Sequence, residues 1–498
     1  MPTLPFPEYA PDAPDLSPMT SVMSNVVART PESYGPINSL VSYSANTLDG
    51  QCLGAVSVQD TDLSAHLFAG TTDKLYTMTN ASAAFADVSG TAYATAVGDV
   101  WNFVKFNRTI IATNFASPIQ AYTMGSSSTF ANLSSGAPRA RYVCTPKTFC
   151  MVGNTYDPVG GYAPGRIWWS IAGDATTWPT PGSAAAQQGM SDYNDFPGNQ
   201  AQITGMVSTL TSADVGIFFR SSVWSGTFVG PPDVFDFTPA QNVRGCPAPN
   251  SIVQLGGLAY YLGEDGFYGF DGVQSTPIGA NKVDKTFWAT VNQAALSAVI
   301  GAADVANKVI MWIYPAGVST VPNAALMYRW DIQRWTPAAI TAEWLARFIS
   351  FGTSVDNLPA LGFTDVDTMT ISMDSSVWIG GALQLGAIDP THSLAYFNGP
   401  TMQAQIGTAA VQMTPGRRSF VQGARPLTDA TAPTIALSSR QNVFDTETFG
   451  TDVAINVMGD CPQRNEGRIH RFRQTIPAGS AWTQAMGVDV TAIPGGWR

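Results

Sequence analysis

From about residue 40 onward the chain repeats one local pattern: a short apolar or alternating run, a turn built on Gly, Asn or Asp, and a second run. Residues 260 to 272 read YYLGEDGFYGFDG, two aromatic runs around an EDG turn. LFAGTTDKLYTM, WNFVKFNRTIIATN, YVCTPKTFCMVGN, RIWWSIAGDATTW, VGIFFRSSVWSG, KVIMWIYPAG and ALMYRWDIQRWTPA follow the same plan. Alternation around a Gly-containing turn is a β-hairpin signal. A long series of hairpins with no sustained helical pattern restricts the chain to an all-β fold. Such a series closes most economically into a β-propeller, because radial repetition leaves only short, protected edges. No strict period of about 40 to 45 residues holds, so the pattern sets no blade number.

Composition supports the same class. The 498 residues include 25 Phe, 16 Tyr and 13 Trp, with 46 Gly and 34 Pro for turns, and only 12% are charged. One helix is expected, in VDKTFWATVNQ at 283–293, where Val283, Phe287, Trp288 and Val291 share a face. The length exceeds what one core usually supports. Three parts are expected: a Pro-rich extended arm at 1–35, a propeller at 36–396, and a C-terminal β-domain at 397–498, where the runs become more polar. The first 18 residues hold six prolines with Glu8, Asp12 and Asp15, a composition that suits neither a central strand nor a helix and predicts little contribution to the core.

The net charge of −11 argues against a nucleic-acid-binding outer face, since phosphate contacts need clustered cations. The charge is uneven. Residues 417–498 carry nine Arg and seven acids, a balance of +2, which leaves −13 for the rest. Five cysteines, Cys52, Cys144, Cys150, Cys246 and Cys461, are too few and odd in number for a disulfide framework, and a reducing compartment fits them. No export signal and no membrane span are expected from the apolar runs.

Candidate chemistry resolves mostly into structure. His66, His392 and His470 are far apart in sequence, and none stands at metal-ligand spacing from a cysteine or another histidine. Cys144 and Cys150 fall in one hairpin and are expected to pack across its strands. SIAGDATTW at 170–178 invites comparison with the Asp-box of sialidases, although Gly173 precedes Asp174 in reversed order and the motif would be structural. Glu264 and Asp265 could form an acid pair, but adjacent strand residues point to opposite faces, and EDG is expected to be the turn itself. In residues 98–114, Trp101, Phe103 and Phe106 stand near Lys105 and Arg108. A buried strand with solvated turn charges is favoured there over a nucleic-acid platform. Trp312 and Trp330 are expected in blade cores. No catalytic, cofactor-binding or metal-binding residues are expected, and no enzyme activity.

Several stretches taken in order resemble a family. PDAPDL, SNVVART and SYGPINSL, then FAGTTDKLYTM, FADVSG, WNFVKFNRTIIATN with SPIQAY, RIWWSIAGDATTW, YYLGEDGFYGFDG with PIG and VDKTFW, YRWDIQRW and finally CPQRNEGRIHRFRQTIPAGSAWTQAMGVDV look like the β-propeller tail proteins of short-tailed bacteriophages. These are nozzle, hub or packaged-DNA-stabilisation proteins at the head–tail junction. The resemblance implies a virion structural protein assembled in the host cytoplasm as a homohexameric ring below the portal and adaptor. Adaptor or portal-side proteins and tail fibres or spikes would be its partners, and duplex DNA would pass without specific binding. An anionic lumen suits that role because it repels phosphate. The alternative is a soluble propeller that binds or degrades glycans.

Overall fold

The computed structural model of the chain describes residues 2–79, 82–196, 202–350 and 383–495. Residues 351–382 of the expected propeller span lie outside the described residues, as do Met1 and Arg498 at the ends. The fold is all-β, and at its centre the described residues form a propeller of seven four-stranded antiparallel sheets. Blade 1 runs Gly54–Gln59, Ala65–Gly70, Leu75–Thr79, Ser82–Asp87; blade 2 Asn102–Phe106, Thr109–Thr113, Gln120–Thr123, Ala131–Asn132. Blade 3 runs Arg139–Cys144, Met151–Asp157, Gly161–Trp169, Tyr193–Asp195; blade 4 Ile203–Ser208, Val215–Phe219, Val223–Gly230, Val234–Gln241. Blade 5 runs Val253–Leu255, Leu258–Leu262, Phe267–Phe270, Ser275–Pro277, and blade 6 Ile300–Asp304, Val309–Tyr314, Ala324–Arg329, Arg334–Ala338.

Blade 7 takes three strands, Trp344–Ile349, Leu383–Ile388 and Leu394–Tyr396, from late in the propeller and its fourth, Val41–Ser42, from the start. No sheet closes on itself; the sheets stand around an axis. The innermost strand of blade 7 packs against that of blade 1, where the Ile349 N–H donates to Ser57 Oγ at 3.0 Å. The hairpin of residues 260–272 thus forms the two middle strands of blade 5, one unit of the series.

Blade interiors explain the continuous apolar runs. A blade between two others is buried on both faces, so alternate residues of a strand serve two cores. In Val309–Tyr314, Ile310, Trp312 and Tyr314 join the core shared with blade 5, and Val309, Met311 and Ile313 join the core shared with blade 7. Cys144 and Cys150 follow this rule rather than packing together: Cys144 faces blade 4 and Cys150 faces blade 2. All five cysteines are buried free thiols. Trp330 departs from expectation as well. It is only partly buried against the core, and Trp335 is the fully buried indole, stacked on Trp312 with ring centres 5.7 Å apart. The helix forms over Asp284–Thr290, shorter than expected, with Val283, Phe287 and Val291 buried.

The strands after residue 397 do not form sheets alone. One sheet orders Cys461–Gly467, Ser419–Thr428, Ala485–Pro494, Ser33–Pro36 and Val26–Thr30, with Thr3–Pro5 added on Ala485–Pro494. The other orders Val453–Ala454, Thr434–Arg440, Ile469–Ile476, Ala404–Gly407 and Met23–Ser24. The first 18 residues, expected to contribute little to the core, therefore add a strand to a C-terminal sheet, and the rest of the expected arm, to residue 35, supplies three more strands to the two C-terminal sheets. Phe6 and Tyr9 are buried in one cluster with Trp312, Trp335 and Phe472. The physical reason lies between the prolines: Leu4, Phe6 and Tyr9 are apolar, and a sheet edge accepts an extended Pro-containing strand. Gly487 admits it, since a Cβ there would meet the Leu4 carbonyl oxygen at 2.4 Å.

Candidate functional site

Two places draw together polar groups from distant parts of the sequence: the junction of the N-terminal segment with the propeller, and the axis.

At the junction, the three acids of the first 18 residues each meet a different element. Glu8 is buried and lies 2.7 Å from Lys282 and 3.3 Å from Arg334. Asp12 caps the helix, accepting from the backbone N–H groups of Lys285 at 2.7 Å and Thr286 at 2.9 Å. Asp15 reaches Arg440 at 3.2 Å, in a group that also contains Arg471 and Glu447, 2.7 Å apart. Beneath the cap, the Asp284 carboxyl sits against Gly266 and Gly279, where a Cβ would lie 2.1 and 2.0 Å from its oxygens. It accepts from the Phe267 N–H at 3.2 Å. Burial pushes its pKa up to about 7, and the charges of Asp12 and Asp265 add to the rise.

On the axis, every blade contributes to the border of a cavity of about 290 Å³, among them Ala55, Asn102, Tyr142, Met206, Gln254, Ala302 and Arg347. The blades are bridged there: Asn102 Oδ1 accepts from the Val143 N–H at 3.2 Å, and Gln254 Nε2 donates to the Ser208 carbonyl. A second space of about 290 Å³ shares Tyr142, Pro249 and Asn250 with the first. Asp99 and Arg141 form an ion pair in its wall, and the Arg141 guanidinium lies 4.4 Å from the centre of the Phe115 ring. Tyr162 meets Phe115 edge-on at 5.6 Å and faces Tyr156 across the blade 3 hairpin, with Arg139 4.3 Å from the Tyr156 ring. Tyr156 and Tyr162 are about half exposed, at 46% and 50%. Sequence reading did not single out this cluster, because its members come from three separate strands and loops.

The residues weighed from sequence are scattered. His66 stacks near Phe68, and burial lowers its pKa. His392 pairs with the buried Glu343, its Nδ1 2.9 Å from a carboxylate oxygen, and Glu343 also accepts the Cys52 N–H at 3.0 Å. His470 is fully buried between the Ser419 and Ser439 hydroxyls, each at 2.9 Å. Among the described residues, no group of three or more His, Cys, Asp or Glu side chains is placed to hold a metal ion.

Glu264 and Asp265 form the exposed turn of blade 5, where the Gly263 N–H bonds the Gly266 carbonyl and Tyr268 donates to Asp265 at 2.8 Å. Asp174 orders its own turn, accepting from the Thr176 N–H at 2.8 Å and the Thr177 hydroxyl at 2.6 Å, while Trp178 packs between blades 2 and 3. Trp101 is buried and Phe103 partly so. Arg108 is not merely solvated: its guanidinium grips Asp60 through two bonds of 2.9 and 2.6 Å, which hold that carboxyl well below the usual range.

No family profile matches this chain, and no curated protein matches it. Among solved structures, the computationally designed protein Ika8 is similar over 72% of this chain and 99% of its own, at 8% identity and a TM-score of 0.35. A score that low carries no argument. No described helix is long and apolar enough to cross a membrane.

Proposed function

We propose that this chain is a structural subunit of a short-tailed phage tail, a nozzle or hub that closes into a ring, six-fold by the family resemblance, around the DNA exit path at the head–tail junction. In this reading it sits in the virion, contacts adaptor or portal-side proteins and tail fibres or spikes, and lets duplex DNA pass without gripping it. The observation that carries the reading is the junction. Glu8, Asp12 and Asp15 tie the start of the chain to the propeller and to the C-terminal sheets, so the two bodies share one core and no free linker separates them. A ring subunit under packaged DNA needs that kind of rigid block.

The axial cavity sets a geometric condition on the reading. About 290 Å³ cannot admit a duplex whose major groove alone is about 12 Å wide. A DNA passage must therefore run between subunits, and a cyclic assembly with heterologous contacts supplies it. Electron microscopy of the purified protein and of virions tests this. Rings with a wide central opening are expected; a monomer at all concentrations, or one copy per virion, refutes the proposal.

A second reading, glycan binding, is favoured by Tyr156 and Tyr162, half-exposed aromatic partners across one hairpin. Saccharide binding lost in a Tyr156→Ala, Tyr162→Ala double variant would favour it.

A further inference from the structure

We propose that the axial cavity of the propeller binds a small organic carboxylate, held by Arg347 of blade 7 together with Asn102 of blade 2 and Tyr142 of blade 3. All three residues border the cavity, which measures about 290 Å³, at the lower end of the range of about 300 to 1,000 Å³ typical of ligand sites. Arg347 is partly buried on the innermost strand of its blade, and among the described residues it is the one charged group in the lining. It has neither an ion pair nor a hydrogen-bond acceptor among them. In the adjoining space the Asp99 carboxylate is already held by Arg141. A guanidinium drawn partly out of water with no counter-charge favours an anion that enters beside it.

The neutral neighbours set the chemistry of that anion. Asn102 accepts the Val143 N–H through Oδ1, which leaves its Nδ2–H groups as donors without an acceptor among the described residues. The Tyr142 hydroxyl likewise has no partner among them, and desolvation holds its pKa well above the ordinary value, so it stays a donor. Asn250 and Gln254, by contrast, already engage their amide N–H groups with the Ser297 and Ser208 carbonyls. The free groups are thus one cation and two neutral donors, contributed by three blades. They match a single carboxylate: the arginine fork binds its two oxygens in plane, and each oxygen keeps a lone pair for an amide or hydroxyl donor. Met206, Val253, Ile300 and Trp344 add an apolar wall for a carbon skeleton. Inorganic phosphate carries more negative charge than one guanidinium balances and gains nothing from that wall. Every group comes from one chain, so the inference does not depend on the ring reading.

Calorimetric titration of the full chain tests the site, with benzoate as the probe and benzamide, its uncharged counterpart, and inorganic phosphate as controls. Benzoate should bind saturably, and each control at least tenfold more weakly. Arg347→Gln should bring benzoate down to the level of benzamide. Its melting curve without ligand should match that of the unaltered protein, because Arg347 has no partner to lose. Tyr142→Phe keeps the ring and removes one donor, and it should weaken benzoate at least threefold. Should Arg347→Gln melt early, Tyr142→Phe decides. Absence of saturation up to millimolar benzoate, equal binding of benzamide, or phosphate bound as tightly as benzoate overturns the proposal. So does undiminished benzoate binding in either folded variant, which would place the ligand outside the axial cavity.

Discussion

Asp12 accepts hydrogen bonds from both the backbone N–H and the hydroxyl of Thr286, at 2.9 and 2.7 Å, across 274 positions of sequence. A carboxylate at a helix start satisfies N–H groups that have no partner within the helix. Here the cap is supplied by a remote segment, so capping and tertiary docking are one event. Asp12→Ala should cost about 1 to 2 kcal/mol, measured by urea unfolding. Removing Met1 through Pro18 should cost more than that single change, because it also empties the sites of Phe6 and Tyr9, and large core deletions cost about 3 to 5 kcal/mol each. A truncated protein that melts with the full chain would show that this segment is dispensable for folding.

Asp284 gives the same junction a pH dependence. Its folded pKa is raised from 3.8 to about 7, chiefly by burial, with repulsion from Asp12 and Asp265 adding to it. The Phe267 N–H opposes the rise, and the nearby cation Lys282 is engaged by Glu8. The folded state holds this proton more tightly than the unfolded state does. Its stabilising contribution is therefore fully present below the ordinary carboxylate range and is lost as pH climbs toward 7. Asp284→Asn should flatten the fall in melting temperature between about pH 4 and 7, since the amide cannot ionise. A slope unchanged by the substitution would assign the titration to other groups.

The architecture was legible where a residue's neighbours lie within a hairpin. The YYLGEDGFYGFDG turn, the Asp174 turn and the helix face of Val283, Phe287 and Val291 all follow from local spacing. The N-terminal segment was not legible, because proline spacing describes how a strand can run and not which distant edge it meets. Leu4 meets Gly487 only through the fold. The splitting of Cys144 from Cys150 was implicit in strand alternation once blades exist on both sides, although one hairpin viewed alone suggests a shared face. The contact of Tyr162 with Phe115 was hidden because it joins segments far apart in the chain.

The blade 5 and 6 core should rank the tryptophans. Trp312 and Trp335 are fully buried, and their indole N–H groups donate to Ser251 and Ile278 carbonyls at 2.8 and 2.9 Å. Alanine at either should cost about 3 to 5 kcal/mol. Trp330 is partly exposed and should cost less on truncation. Calorimetric melting of the three variants checks the order, and a Trp330→Ala loss equal to the other two would contradict it.

Duplex DNA should bind the protein weakly at physiological salt, because the chain carries a net charge of −11 and four of the nine arginines of its basic C-terminal region are paired with carboxylates. Arg425 lies 2.9 Å from Asp460, Arg440 3.2 Å from Asp15, Arg471 2.7 Å from Glu447 and Arg473 3.3 Å from Asp452. Arg440 and Arg471 are also buried, so a phosphate would have to displace a carboxylate to reach them. Each phosphate neutralised adds about −0.9 to the slope of log affinity against log salt, so a protein that neutralises few phosphates shows a shallow slope. Filter binding with a 30-base-pair duplex should give little retention near 150 mM salt for the wild type. Asp460→Asn combined with Asp452→Asn, which frees the two more exposed arginines, should strengthen binding and steepen the slope by about one to two phosphate equivalents. Sub-micromolar wild-type affinity with a steep slope would mean that cations outside these pairs face the duplex, and a slippery passage would then be the wrong description of this surface.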